Sequence, residues 1–234
     1  MKKDFVSFVV PVFNEEENIE KIANRLVQVG RKKFYEFEVI LVNDNSTDNT
    51  YAIMQKLKKK FKEVEVLSRA DSSKGMGYAL VDGTRKAKGS IVVWTMADLS
   101  DDVLTYPKLV EKINKGFDLV VASRWIDGGS RGTLGKGKAF LSKNCSAFYR
   151  LVFGLPVHDL TNAFRAFRKE IFDAVQLESG DFAISPEFAI KAHKKGFQVG
   201  EVPTTYTDRY AGKSKFSFAK MGLRYFSLLK YRFY

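Results

Sequence analysis

Three carboxylates fall close together in Asp98-Leu99-Ser100-Asp101-Asp102, directly after the apolar run Ile91 to Thr95 (IVVWT). Hard divalent cations such as Mg²⁺ or Mn²⁺ bind one or two carboxylates together with the oxygens of a diphosphate. Asp98, at the end of the run, is the main candidate ligand, and Ser100 and Asp101 are further candidates. Asp101 or Asp102 can instead cap a following helix, and for Asp102 capping is the favoured reading. A second polar cluster, Asn43 to Asp48, follows the apolar run Phe37 to Val42. Gly75 and Gly77 form a G-x-G, but Leu80 stands where a third glycine would complete a dinucleotide fingerprint, and the pair does not follow the first strand. His158, His193 and Cys145 make no zinc cluster.

The elements that must position these groups alternate. Short apolar runs at Phe5–Val12, Phe37–Val42, Val64–Leu67, Ile91–Thr95 and Leu119–Ser123 read as buried strands. Helical spacing separates them at 16–29, about 50–61, 78–86 and 105–114, with Ser46 or Thr47 expected to cap the second helix. This alternation predicts an α/β fold with a mostly parallel sheet covered on both faces. In such sheets ligands bind beyond the carboxyl ends of the strands, where Glu15, Asp44 and Asp98 fall. Residues 126–138 hold five glycines and read as a loop before a helix over 139–153. Helical spacing at 187–195 and a strand-like stretch at 198–206 follow, and no linker divides the chain.

The 234 residues carry a net charge of +12, and 45% are hydrophobic, which excludes a disordered polar chain. Residues 191–234 hold ten Lys or Arg against two Asp or Glu, a net of +8, which points to an anionic partner. One cysteine allows no internal disulfide. Neither a signal-peptide pattern nor a transmembrane run is expected within these residues.

The order and spacing of several short motifs resemble the family-2, GT-A-fold glycosyltransferases, and among them the dolichol-phosphate mannose synthase-like, polyprenyl-phosphate enzymes. The motifs are Val10 to Glu15, Val42 to Thr50, Lys74 to Leu80, Ala97 to Ser100, Ser123 to Trp125, Thr161 to Ala166 and Arg209 to Lys215. The resemblance runs from about Phe5 to Lys215. It implies a Rossmann-like GT-A catalytic domain over 1–215, with a mixed, mostly parallel sheet flanked by helices. It implies an inverting transferase that moves a mannose- or glucose-type hexose from a GDP- or UDP-sugar to dolichyl or polyprenyl phosphate. Pro11, Phe13, Glu15, Asp44, Lys74, Gly75, Gly77 and Ala97 would then form the nucleotide pocket, and Asp98 would hold the metal. The family's metal motif usually has two aspartates; here Met96 takes the first position.

A phosphate acceptor is already largely ionised near neutral pH, with a second pKa of about 6. It therefore needs cations rather than a general base. The resemblance assigns that task to Arg124, Lys138 and Ser142, with Lys138 in place of the family's usual arginine. Arg209 would add positive charge over a bound phosphate. An enzyme glycosylating a sugar hydroxyl, with Asp101 or Asp102 as base, is the alternative within enzymes. A catalytically degenerate nucleotide-binding protein or a nucleic-acid-binding protein are the others, and no nucleic-acid partner is expected.

From Ser214 to Tyr234 the chain reads as an amphipathic helix, assigned to residues 216–234. Phe218, Met221, Tyr225, Leu228 and Leu229 would line its apolar face, opposite Lys220, Arg224, Ser227 and Lys230. This is the pattern of an interfacial helix, and docking on the sheet is the competing reading. The expectation is a peripheral protein on the cytoplasmic face of a membrane, with further membrane helices after Tyr234 if the natural chain is longer. A chain ending near Lys215 is expected to stay folded and to lose membrane contact.

Overall fold

The computed structural model describes residues 4–69, 73–212 and 218–233. In chain order the elements are β1 (Phe5–Val12), α1 (Ile19–Lys33), β2 (Glu36–Asn43), α2 (Thr50–Lys60), β3 (Val64–Ser68), α3 (Met76–Lys86), β4 (Ile91–Trp94) and α4 (Thr105–Asn114). They continue through β5 (Leu119–Ser123), α5 (Lys136–Phe153), β6 (Arg165–Arg168), α6 (Lys169–Val175), α7 (Ile184–Lys194), β7 (Val199–Pro203) and α8 (Phe218–Ser227), which runs into a 3₁₀ turn at Leu228–Arg232. The strands form one sheet in the order β3-β2-β1-β4-β6-β5-β7.

Each of the first four strands pairs in parallel with its neighbours among them, as expected of mostly apolar runs joined by helices. The exception is β6, which is antiparallel to both β4 and β5. It begins and ends with arginine, so its pattern does not look like a buried strand. Arg165 is nonetheless wholly buried, and its guanidinium donates to the carbonyls of Ser185 and Asn162, both at 2.6 Å. Burial pulls its pKa down to about 9. Its place in the 161–166 motif is thus architectural: it ties the β6 turn to the start of α7.

Two cores cover the two sheet faces. One joins Phe8 and Leu41 to Leu26 of α1, Met54 of α2 and Tyr106 of α4. The other joins Val9 and Trp94 to Leu80 of α3 and Phe188 of α7. Trp94 satisfies its buried indole N–H on the Thr84 hydroxyl at 2.9 Å.

Two boundary expectations are corrected. Ser46 and Thr47 do not cap α2: Ser46 accepts the Asn14 N–H and Thr47 pairs with the Asn14 side chain, while Asp48 receives the Thr50 N–H at 3.0 Å. The polar cluster therefore ties the β1 turn to the β2 turn. The helix expected from 139 starts at Lys136, inside the glycine-rich stretch. The C-terminal segment is docked: Leu228 and Tyr231 join the second core, and Tyr231 donates to the buried Glu187 at 3.2 Å. The side chains of Phe218, Lys220 and Met221, the boundary at Lys215, and the end of the 209–215 motif lie outside the described residues. Among the described residues no helix is long and apolar enough to cross a membrane.

Candidate functional site

A cavity of about 1020 Å³ opens beyond the carboxyl ends of β1, β2, β4 and β5, at the place expected for ligands of such a sheet. Pro11, Phe13, Glu15, Asp44, Lys74, Gly75 and Ala97 line one part of it, and Asp98, Ser100 and Asp101 line its floor. Arg124, Lys138, Ser142 and Arg209 also face it. The sequence-derived site residues are thus brought together, with one exception. Gly77 is buried away from the cavity.

The glycine pair has a role in packing. Gly75 adopts φ 152°, and a Cβ there would lie 2.1 Å from the Gly180 carbonyl oxygen. A Cβ on Gly77 would lie 2.3 Å from the Ser179 carbonyl oxygen, and the Gly77 N–H donates to the Gly180 carbonyl at 2.9 Å. Both glycines thus allow a close approach to the loop before α7, and Gly75 lines the cavity as well.

Asp44, at the end of β2, is held on both sides. Arg69 donates to one oxygen at 2.5 Å and the Gly75 N–H to the other at 2.8 Å. Arg69 also pairs with Asp82 at 2.7 Å. Burial opposes the charge on Arg69, but its hydrogen bonds to Asp82 and Asp44 more than offset this and raise its pKa. Sequence reading missed Arg69, because only the fold brings it to Asp44.

Asp98 is half-buried at the β4 end, and one of its oxygens accepts the Ser100 N–H at 3.1 Å. Leu99, directly after it, sits at φ 66°, an uncommon conformation for a branched residue and of the kind found at functional turns. Asp101 turns inward: Oδ2 accepts the Thr95 hydroxyl at 2.7 Å and the Met96 N–H at 3.0 Å. Burial, aided by the neighbouring Asp98 charge, pushes its carboxyl up to about 7 against those hydrogen bonds. Asp102 points elsewhere, accepting the Leu104 N–H at 3.1 Å and the Thr105 hydroxyl at 3.3 Å at the start of α4.

Among the described residues no three His, Cys, Asp or Glu side chains converge as a metal cage. One half-exposed carboxylate at a cavity floor does fit a cation shared with a substrate diphosphate, because Mg²⁺ keeps waters and phosphate oxygens as its other ligands.

At the β5 end, Arg124 is gripped by the fully buried Asp159, with Nε at 2.7 Å and Nη2 at 2.9 Å from its two oxygens. Nη2 also donates to Ser142 at 3.0 Å and Thr161 at 3.2 Å, and those hydroxyls lie 2.6 Å apart. Burial opposes the charge on Arg124, and Asp159 outweighs it, so the guanidinium stays charged. A cation and two hydroxyls on the cavity wall can receive a phosphate. Lys138 stands exposed one turn before Ser142 on α5. Asp159 and Thr161 were not singled out as site residues; their contacts with Arg124 join residues far apart in sequence.

Arg209 donates to both Glu15 oxygens, at 2.8 and 3.0 Å, and fastens the segment after β7 to the β1 turn. That segment also lies on the acidic loop through Tyr210 N–H to Asp98 O at 3.0 Å and Thr207 N–H to Ser100 O at 3.2 Å. His158 is structural: Nδ1 and its backbone N–H meet Glu201 at 2.6 and 2.8 Å.

Beyond Ser142 the cavity wall turns apolar, with Leu141, Cys145, Phe148 and Tyr149 of α5 facing Tyr225 and Phe226 of α8.

Comparison with known proteins gives three findings. The family model described as "Glycosyl transferase family 2" matches residues 7–176. A "Polyprenol monophosphomannose synthase" of Mycolicibacterium smegmatis is 28% identical over 215 residues, covering 89% of this chain and 80% of that one. A "Dolichol-phosphate mannosyltransferase" of Pyrococcus furiosus is 33% identical over 214 residues, covering 90% of this chain but only 58% of that one. Among solved structures, glucosyl-3-phosphoglycerate synthase of Mycobacterium tuberculosis with Mn²⁺, uridine diphosphate and glucosyl-3-phosphoglycerate superposes with TM-score 0.74 at 18% identity, covering 97% of this chain and 78% of that one. The same synthase with Mg²⁺ and uridine diphosphate gives TM-score 0.71 at 17% identity, with the same coverage. These last likenesses establish the mixed, mostly parallel GT-A sheet.

Proposed function

The chain belongs to glycosyl transferase family 2, and from that premise we propose that it transfers mannose from a nucleotide diphosphate sugar to polyprenyl or dolichyl phosphate at a membrane surface. One observation carries the reading: a single cavity runs from the Asp98 carboxylate, past the Arg124–Ser142–Thr161 group, to an apolar wall. Those three environments match a diphosphate, an acceptor phosphate and a lipid tail in that order. The names of the two curated relatives support the same acceptor and sugar.

In this reading Pro11, Phe13, Glu15, Asp44, Lys74, Gly75 and Ala97 bind the nucleotide. Asp98, with Ser100 nearby, would hold a divalent cation, which would offset the charge of the departing diphosphate. The solved neighbours that contain Mn²⁺ or Mg²⁺ with uridine diphosphate support this assignment. Arg124, Ser142 and Lys138 align the acceptor phosphate, whose oxygen attacks the anomeric carbon of the sugar. The new C–O bond forms as the bond to the diphosphate breaks, in a transition state with oxocarbenium character. Arg209, beside Glu15, adds positive charge on the diphosphate side.

No general base is required, and the acidic residues agree with that. Asp102 is absent from the cavity wall, and Asp101 Oδ2 is committed to Thr95 and Met96. The sugar-hydroxyl alternative is left with the other Asp101 oxygen as its base.

A panel of GDP- and UDP-sugars with polyprenyl phosphate and Mg²⁺ or Mn²⁺ tests the proposal. GDP-mannose should give the most glycolipid. A UDP-sugar giving more would correct the donor, and the absence of glycolipid with every donor would refute the proposal.

A further inference from the structure

The segment that lines the cavity beside Asp44 leans on a second loop behind it. Lys74, Gly75 and Met76 face the cavity. The Gly75 N–H donates to Asp44 at 2.8 Å, and the Gly77 N–H donates to the Gly180 carbonyl at 2.9 Å. The two backbones touch closely enough that a Cβ on Gly75 would meet the Gly180 oxygen and one on Gly77 the Ser179 oxygen. The placement of the Ser179–Gly180 backbone therefore sets how far Gly75, and with it the Asp44 carboxylate, stands into the cavity.

What holds that backbone is Glu187, in the first turn of α7. Its side chain is wholly buried and does not line the cavity. One oxygen accepts the Glu178 N–H at 2.8 Å, and the other accepts the Ser179 N–H at 2.8 Å. The first oxygen also meets Lys191 Nζ at 2.7 Å, one helical turn on, and the Tyr231 hydroxyl at 3.2 Å. Asp181 joins the same loop to α7 by accepting the Ala183 N–H at 2.9 Å. A carboxylate in a core costs desolvation, and a position that needed only filling would take an apolar side chain. Here the two oxygens hold two successive backbone N–H groups, a grip that fixes the orientation of both peptides.

We propose that Glu187 is a positioning residue for the donor. Acting through the Ser179–Gly180 backbone, it sets the Gly75–Gly77 segment and the Asp44 carboxylate where a nucleoside diphosphate meets them. The Arg124 group is held separately, by Asp159, so loss of Glu187 acts on the donor and spares the acceptor phosphate. The inference rests on the nucleotide reading of this part of the cavity, and the affinity of the unaltered chain tests that reading by itself.

The experiment is calorimetric titration with GDP and UDP in the presence of Mg²⁺, together with steady-state kinetics in which sugar nucleotide and polyprenyl phosphate are varied in turn. Glu187→Gln keeps the shape but offers one acceptor oxygen, so one of the two backbone N–H groups faces an amide NH₂. Affinity for the preferred nucleotide should fall by about tenfold, the effect expected of one lost buried hydrogen bond. Donor KM should rise by a similar factor, while acceptor KM and kcat at saturating donor stay within about twofold. Gly77→Ala adds one methyl group against the Ser179 carbonyl and disturbs the same contact from the other side, so it should show the same donor-only defect even if Glu187→Gln folds poorly. Ile113→Ala, in the core on the other face of the sheet, should lower the thermal melt and leave nucleotide affinity unchanged. Parent-like nucleotide affinity in folded Glu187→Gln or Gly77→Ala would overturn the proposal, as would an equal rise in donor and acceptor KM or a matching loss of affinity in Ile113→Ala. An unaltered chain that binds neither nucleotide would overturn the nucleotide reading and this inference with it.

Discussion

Arg124 meets Asp159, Ser142 and Thr161 at once, so its removal acts on both stability and turnover. Arg124→Ala leaves the wholly buried Asp159 without its partner, a change that typically costs about 3–5 kcal/mol. Chemical denaturation should show that loss. Calorimetric nucleotide affinity should stay within a fewfold, while turnover of polyprenyl phosphate falls by two orders of magnitude or more. An equal loss of nucleotide affinity would place Arg124 on the donor side. Asp98→Ala should abolish transfer and leave the thermal melt nearly unchanged, because the side chain is half-exposed and packs no core. Surviving, metal-dependent activity would remove Asp98 from the metal site. Cys145 gives a prediction about pH. Burial pushes its thiol up to about 11, so little thiolate exists near neutrality. Alkylation at pH 8 should be on the order of a hundredfold slower than for a free thiol and should quicken as pH rises toward 11.

At the scale of elements, the C-terminal turn is a structural part of the domain. Leu228→Ala should destabilise by about 2–5 kcal/mol, as for other buried leucines, and denaturant titration would read this directly. A chain ending near Lys215 should therefore be less stable than the full chain. That pattern shows an apolar face but not what covers it. The first five strands were legible because each is a short, predominantly apolar run. The arginine-ended β6 was not, since its pairing with β4 and β5 comes from the far side of the sequence. The start of α5 was hidden by Gly135 and Gly137, which read as loop. The carboxylate at the end of β4 and the cations of the acceptor wall were legible from residue type, position and family resemblance. Arg69 and Asp159 were not, because their roles consist of contacts with Asp44 and Arg124 that only the folded chain creates.

Across the whole molecule, the cavity is shared between the two halves of the chain. Residues following β1, β2, β3 and β4 line the part around Asp98, and α5, residues 161–163 and α8 line the part around Arg124 and the apolar wall. The antiparallel β6 joins them, since it sits between β4, which carries Asp98, and β5, which carries Arg124. Glu15 and Arg209, far apart in the chain, pair at 2.8 Å at the cavity wall. An enzyme built this way should need a phosphate on its acceptor, because the acceptor wall offers cations and hydroxyls rather than a base. The most direct test compares polyprenyl phosphate with the same polyprenol lacking its phosphate, using a radiolabelled sugar nucleotide and counting label in the lipid fraction. Label should enter the phosphorylated lipid and be lost by at least a hundredfold without the phosphate. Equal labelling of both lipids, or transfer only to a soluble sugar, would contradict the account.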